Sequence, residues 1–228
     1  MSGLVRSIMA GALALGVGAS VLTAQEKPHG SGDFRWYLGG QGGVYNFETT
    51  AQTRGWLPAA GVHTLIVARR TGLLLQADEI IGSDEVGAYS DSLAPNGART
   101  VAFNDIRRLS FALMAFPWRS PIEPYFGVGG GISWTVNPQP QGTAGLTPTE
   151  LDAVLSETDD RSSYGYALAL AGAQLKAGPF MLFGQVQATT SPPRGSIYKG
   201  ATFFGQAGLR ISLGKAREDE SGAAQIGH

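Results

Sequence analysis

Apolar side chains recur at every second position through most of this chain, and that period limits the possible folds more than any other feature. In 122–134 the even positions are Ile122, Pro124, Phe126, Val128, Gly130, Ile132 and Trp134, whereas the odd ones are Glu123, Tyr125, Gly127, Gly129, Gly131 and Ser133. The stretch 201–213 sets Ala201, Phe203, Ala207, Leu209, Ile211 and Leu213 against Thr202, Phe204, Gln206, Gly208, Arg210 and Ser212. In 180–189, Phe180, Leu182, Val186 and Ala188 oppose Met181, Phe183, Gln185, Gln187 and Thr189, and in 109–116 Leu109, Phe111, Leu113 and Ala115 oppose Ser110, Ala112, Met114 and Phe116. A period of two belongs to a β-strand, whose successive side chains point to opposite faces. Less regular alternation over 34–47, 58–68, 72–80 and 163–175 brings the number of candidate strands to eight. No segment beyond the N-terminus reaches 18 apolar residues, which excludes an ordinary transmembrane helix.

The connections carry the topology. A loop over 48–57 is followed by the tight turn 69–72, a long loop to about 102 by the compact 117–121, a longer loop over 137–162 by 176–179, and a medium loop ends the series at 191–200. Long and short alternate throughout, as they do in an up-and-down antiparallel sheet whose two ends face different surroundings. Pro117, Pro121 and Pro179 fall in the turns, where a missing N–H disturbs no ladder.

Only 15% of the residues are charged, the formal net charge is -1, and lysine occurs at four positions, Lys27, Lys176, Lys199 and Lys215. That balance offers no basic field for a nucleic acid and a poor surface for a water-facing sheet. The N-terminus has the form of an export signal: Arg6, then the uncharged stretch 8–22, then small residues around Ala24, which defines 1–24 as a cleaved leader. The absence of cysteine removes disulfides as a source of stability outside the cytoplasm.

If the apolar faces point to lipid, the interior of an eight-stranded barrel is only just wide enough for side chains. Gly127, Gly129 and Gly131 would then vacate volume for Arg35, Arg108, Arg210, Gln185 and Gln206, with the inward arginines meeting Glu123 and Asp78 in a hydrogen-bonded network. Trp36 and Phe180 near the turn-side ends, with Trp134 and Phe203 near the loop-side ends, fit aromatic girdles at two membrane interfaces. Parity alone does not separate inside from outside, so a soluble lipocalin-like carrier is the rival arrangement.

The phrase IEPYFGVGGGISW at 122–134 resembles the proline-aromatic-glycine strands of the small eight-stranded outer-membrane barrels of the OmpA-barrel and OmpX type, and QAGLRISL at 206–213 is similar to their terminal assembly signal. The resemblance spans nearly all of 33–214. It implies an all-β, eight-stranded antiparallel up-and-down transmembrane β-barrel with short periplasmic turns and long extracellular loops, located in the cell outer membrane. Outer-membrane lipids and the barrel assembly machinery are the implied partners, with Gln206, Gly208, Ile211 and Leu213 as the assembly signal. The family usually ends on that strand with an aromatic residue, whereas here a polar tail follows over 215–228. A short periplasmic segment, 25–32, precedes the barrel.

Some barrels of this size act on lipid A through a histidine, a serine and an acid. Here His29 and His228 fall in the terminal segments, and His63 has no serine beside it in its strand, so it reads as a polar lumen filler. Neither metal-ligand spacing nor a cofactor fingerprint is present, since the glycines of 127–131 do not open a helix. The loops 82–100 and 137–162 are acidic, through Asp84, Glu85 and Asp91 in the first and Glu150, Asp152, Glu157, Asp159 and Asp160 in the second. They read as solvated, with an extracellular partner or divalent-cation bridging to lipid as the functional alternative. Within the second, Thr147, Pro148 and Glu150 form a capping box that predicts a short surface helix with Leu151, Val154 and Leu155 on one stripe. The expected protein is a non-enzymatic barrel with a plugged lumen, serving envelope structure or surface interaction.

Overall fold

The computed structural model describes residues 34–118 and 120–213. The leader, the segment 25–32 and the tail 215–228 lie outside the described residues. Eight long strands follow one another: β1 Phe34–Thr49, β2 Gly55–Ala68, β3 Thr71–Ser90, β4 Ala98–Ala115, β5 Ile122–Thr135, β6 Ser163–Ala177, β7 Phe180–Thr189 and β8 Tyr198–Ser212. Each pairs antiparallel with its chain neighbour, and β1 pairs antiparallel with β8 from Tyr37↔Ser212 to Thr49↔Tyr198, so the sheet closes into a barrel with no free edge.

The alternation sets the polarity of the wall. Val128 is 63% exposed, Leu113 64% and Val62 61%, and their parity mates Tyr125, Met114 and His63 are buried. Oily side chains therefore line the outside, which is the reverse of a soluble carrier's arrangement. The interior is less polar than its sequence-derived description, because Tyr37, Tyr45, Leu65, Leu74, Tyr166, Leu170, Phe183 and Phe204 share it with the amides and arginines. Irregular alternation in β6 has a simple cause: Leu168 and Leu170 point inward while Ala167, Ala169, Ala171 and Ala173 face out.

The two ends differ as expected from the loop lengths. Turns at 69–70 and 178–179 and the described residues 116–118 and 120–121 lie at one end, and the segments 50–54, 91–97, 136–162 and 190–197 occupy the other. One expectation is corrected. Most of 82–100 is strand, because β3 and β4 run for 20 and 18 residues and stay paired to Ser90↔Ala98. A membrane crossing takes about 9–11 residues of strand, so the upper half of this hairpin stands clear of the apolar belt, bent by a register shift between Ile81 and Glu85. The predicted helix is present as α1, Pro148–Arg161, with both halves of the Thr147–Glu150 capping box formed.

Candidate functional site

An eight-stranded barrel presents its lumen and its loop end as two places for a functional site. In the lumen, side chains of inward parity from all eight strands meet. Asp78 on β3 accepts hydrogen bonds from Gln41 Nε2 and Gln76 Nε2, both at 2.7 Å. Gln76 in turn accepts from Gln187 Nε2 at 3.0 Å. His63 Nδ1 bonds the Gln41 carbonyl oxygen, which can only accept, so the ring proton sits on Nδ1 and leaves Nε2 to accept from Arg210 Nε at 2.9 Å. Arg210 continues to Gln174 Oε1 at 2.9 Å, and Gln174 Nε2 donates to Glu123 at 3.0 Å. One continuous chain thus runs from Glu123 on β5 to Gln187 on β7. A second branch joins Tyr125, Gln185 and Gln206 through bonds of 3.0 and 2.7 Å.

The sequence-derived set is placed as follows. Asp78, Arg108, Glu123, Gln185, Gln206 and Arg210 are all buried in the lumen. Arg35 is not: it has inward parity but lies at the turn-side rim of β1, exposed, where the lumen has ended. Arg210 joins Glu123 and Asp78 through a hydrogen-bonded chain, with side chains between the charges and no direct contact. Gln174 stands between Arg210 and Glu123, whose carboxylate instead takes Lys176 at 2.7 Å. Arg108 faces Asp78 in register and lies against ring faces, with its guanidinium carbon 4.8 Å from the Tyr166 centroid and 5.1 Å from that of Tyr45. Arg210 is 3.9 Å from the Phe183 centroid. A desolvated contact of this kind is worth about 2 kcal/mol, which is how aromatic rings substitute for counter-ions here. Gln41, Gln76 and Gln174 were not singled out, although inward parity in an amide side chain was the signal that could have found them.

The glycines of β5 have a different partner from the one expected. A Cβ on Gly129 would run into the carbonyl of Phe111 and lie 2.7 Å from the Ala112 Cα on the neighbouring strand. At Gly131 it would lie 2.6 Å from the Tyr166 hydroxyl, and at Gly127 2.8 Å from the Leu113 carbonyl oxygen. These glycines make room for adjacent backbone, Tyr166 and Leu170, and not for the arginines and glutamines named above. On the outside, by contrast, Gly184 and Gly205 would meet nothing nearer than 4.0 and 3.8 Å.

Trp36, Phe180 and Phe203 are outward and about half exposed, and Trp134 is outward and half-buried beside Arg107. Trp56, Trp118 and Phe34 add further exposed rings, at the loop end for the first and at the turn end for the other two. In the terminal strand Gln206 and Gly208 face the lumen, Ile211 faces out, and Leu213 follows the strand's last residue with its N–H on Trp36 O.

The loop end is packed in part, while Asp84, Asp152, Asp159 and Asp160 stay exposed. Val154 and Thr158 of α1 are buried, and Tyr89 on β3 meets Thr158 Oγ1 at 3.0 Å. Only part of the predicted helix stripe is used, since Leu151 and Leu155 remain exposed. Ile197 is fully buried, and Tyr198 hydrogen-bonds Thr135 while its ring lies 5.9 Å from that of Phe103. At the hairpin tip, buried Arg99 pairs with Asp91 and donates to the carbonyls of Gln141 and Gly142. Burial pushes the Asp91 carboxyl up, but the Arg99 guanidinium and the Leu93 amide outweigh it and hold it below the usual carboxylate range. A carboxyl depressed on folding adds stability above its unfolded value and loses it as pH falls through the folded one. The tip should therefore loosen below about pH 4, and Asp91→Ala, which strands a buried guanidinium, should destabilise it by about 2–3 kcal/mol at neutral pH. Protease sensitivity at 91–97, measured across pH, checks both.

No protein-family model matches this chain, and no curated protein matches it. Solved structures do. Neisserial surface protein A (NspA) superposes with a TM-score of 0.51 at 9% identity, over 77% of this chain and 96% of that one. The N-terminal β-barrel domain of Pseudomonas aeruginosa OprF matches at 10% identity and a TM-score of 0.40, covering 77% and 97% of the two chains. Ail, the attachment invasion locus protein of Yersinia pestis, solved with the heparin analogue sucrose octasulfate, matches at 8% and 0.40, covering 78% and 99%. The fold is that of the small eight-stranded outer-membrane β-barrels.

Proposed function

We propose that this chain is a non-enzymatic outer-membrane barrel with a plugged lumen, serving envelope structure or surface interaction through its loop cap. The observation that carries this reading is the inverted polarity of the wall: oily side chains outward, with a hydrogen-bonded chain from Glu123 to Gln187 across the axis. A soluble protein rarely exposes an apolar surface of that extent, whereas a bilayer requires it. The filling of the lumen supports the plugged reading: Gln185 bonds Gln206, and the Arg108 and Arg210 guanidinia lie against the rings of Tyr166 and Phe183. His63 supports the non-enzymatic part, since both of its ring nitrogens are engaged inside the wall. Insertion by the barrel assembly machinery through the terminal strand belongs to the same reading, with Gln206, Gly208, Ile211 and Leu213 as its signal.

Three measurements test it. The protein should stay in the membrane fraction until detergent is added and should migrate differently on a gel before and after heating. In planar bilayers it should give no steady single-channel current; a sustained open level refutes the plugged lumen, and recovery from the periplasm without detergent refutes the membrane location.

A further inference from the structure

The turn end carries an apolar groove that the functional reading does not use. It lies on the outer wall where β1, β2 and β3 run side by side, has a volume of about 500 Å³, and is lined by Phe34, Trp36, Ile66, Ala68 and Leu73. Thr71 lines it as well, and the turn that joins Ala68 to Thr71 carries Arg69 and Arg70; Arg35 sits between the two aromatic liners in sequence, with inward parity. All three arginines are exposed, and none has an ion-pair partner among the described residues. The other described charges of this end are Lys176 and Glu123, which neutralise each other. The turn itself is fixed: Arg69 has φ 54°, the Thr71 hydroxyl bonds Ala68 O at 3.1 Å, and Phe116 N–H donates to Arg70 O at 2.8 Å.

An apolar slot in the lipid-facing wall with two unpaired guanidinia in the turn beside it matches one kind of molecule, an acyl chain ending in an anionic phosphate. Guanidinium presents a planar fork to phosphate oxygens, and the aromatic liners Phe34 and Trp36 suit the boundary between chain and head group. Resting on the membrane reading given above, we propose that this groove is a site for an anionic glycerophospholipid of the inner leaflet, with one acyl chain between Trp36 and Leu73 and the phosphate on Arg69 and Arg70, and Arg35 adding to the local positive field.

Native mass spectrometry of the detergent-purified full chain, titrated with palmitoyl-oleoyl phosphatidylglycerol or with the phosphatidylcholine of the same chains, tests this. One saturable phosphatidylglycerol adduct is expected, at least tenfold tighter than the phosphatidylcholine adduct and weakened at least tenfold by R69N/R70Q. Asparagine tolerates the left-handed backbone at position 69, and an unchanged heat-modifiable band shows that the variant folds. The W36A variant should weaken the same adduct while the barrel persists. Equal binding of the two lipids, insensitivity to R69N/R70Q, or full competition by glycerol phosphate overturns the site. Solubility without detergent refutes the membrane reading itself, whereas a detergent-requiring barrel with no preference for phosphatidylglycerol refutes the lipid site alone.

Discussion

Gly129→Ala should destabilise the folded barrel by about 3 kcal/mol or more, and Gly184→Ala should leave it intact. Both glycines lie mid-strand, and neither has a positive φ, so conformational freedom does not separate them. What separates them is the direction in which a Cβ would point. At position 129 it points inward and meets the backbone of β4, at the Phe111 carbonyl and the Ala112 Cα. That backbone is fixed on both sides, by β3 and by β5. A flexible side chain could swing away, but a ladder carbonyl cannot move without breaking pairing along its strand. Overpacking in ordinary cores costs about 1–3 kcal/mol and occasionally more; against fixed backbone the larger end applies. At position 184 the added methyl enters open space, 4.0 Å from the nearest oxygen. Urea titration of protein refolded into lipid vesicles measures the difference. Equal midpoints for the two variants would mean that β4 and β5 are free to part.

How much of this was legible follows from the same geometry. A period of two fixes which side chains share a face, so the alternation of β5, β7 and β8 was enough to assign Phe126, Val186 and Leu209 to one surface and Tyr125, Gln187 and Arg210 to the other. Loop length then told the ends apart. Parity does not tell height, which is why Arg35 was assigned to a lumen that ends before it, and it does not tell which inward neighbours touch. Glu123 and Arg210 are of the same set and of opposite charge, yet Gln174 lies between them because register across β5, β6 and β8 depends on barrel shear, which no single strand encodes. The extended β3–β4 hairpin resembles a loop in sequence because its outward positions, Ser90, Ala98, Thr100 and Asn104 among them, carry no large oily side chain, so the alternation fades while the backbone pairing continues.

Asp78→Asn and Arg108→Met should each destabilise the barrel by about 1–3 kcal/mol, while the double variant should lose clearly less than the sum. Asp78 and Arg108 face each other in register, 4% and 1% exposed. Removing the carboxylate leaves a guanidinium buried among the Tyr45, Tyr166 and Phe204 rings without its nearest anion. Removing the guanidinium leaves a carboxylate that only Gln41 and Gln76 support. Replacing both removes the uncompensated charge along with the attraction, so the coupling between the two sites should reach about 1–2 kcal/mol. The exposed pair Lys199–Glu48, at 3.7 Å, provides the contrast, with coupling below about 1 kcal/mol. Additive losses at 78 and 108 would show that Arg108 is held by its aromatic surroundings alone. In that case the lumen is organised by rings and amides, and charge neutrality across β3 and β4 contributes nothing to holding the wall closed.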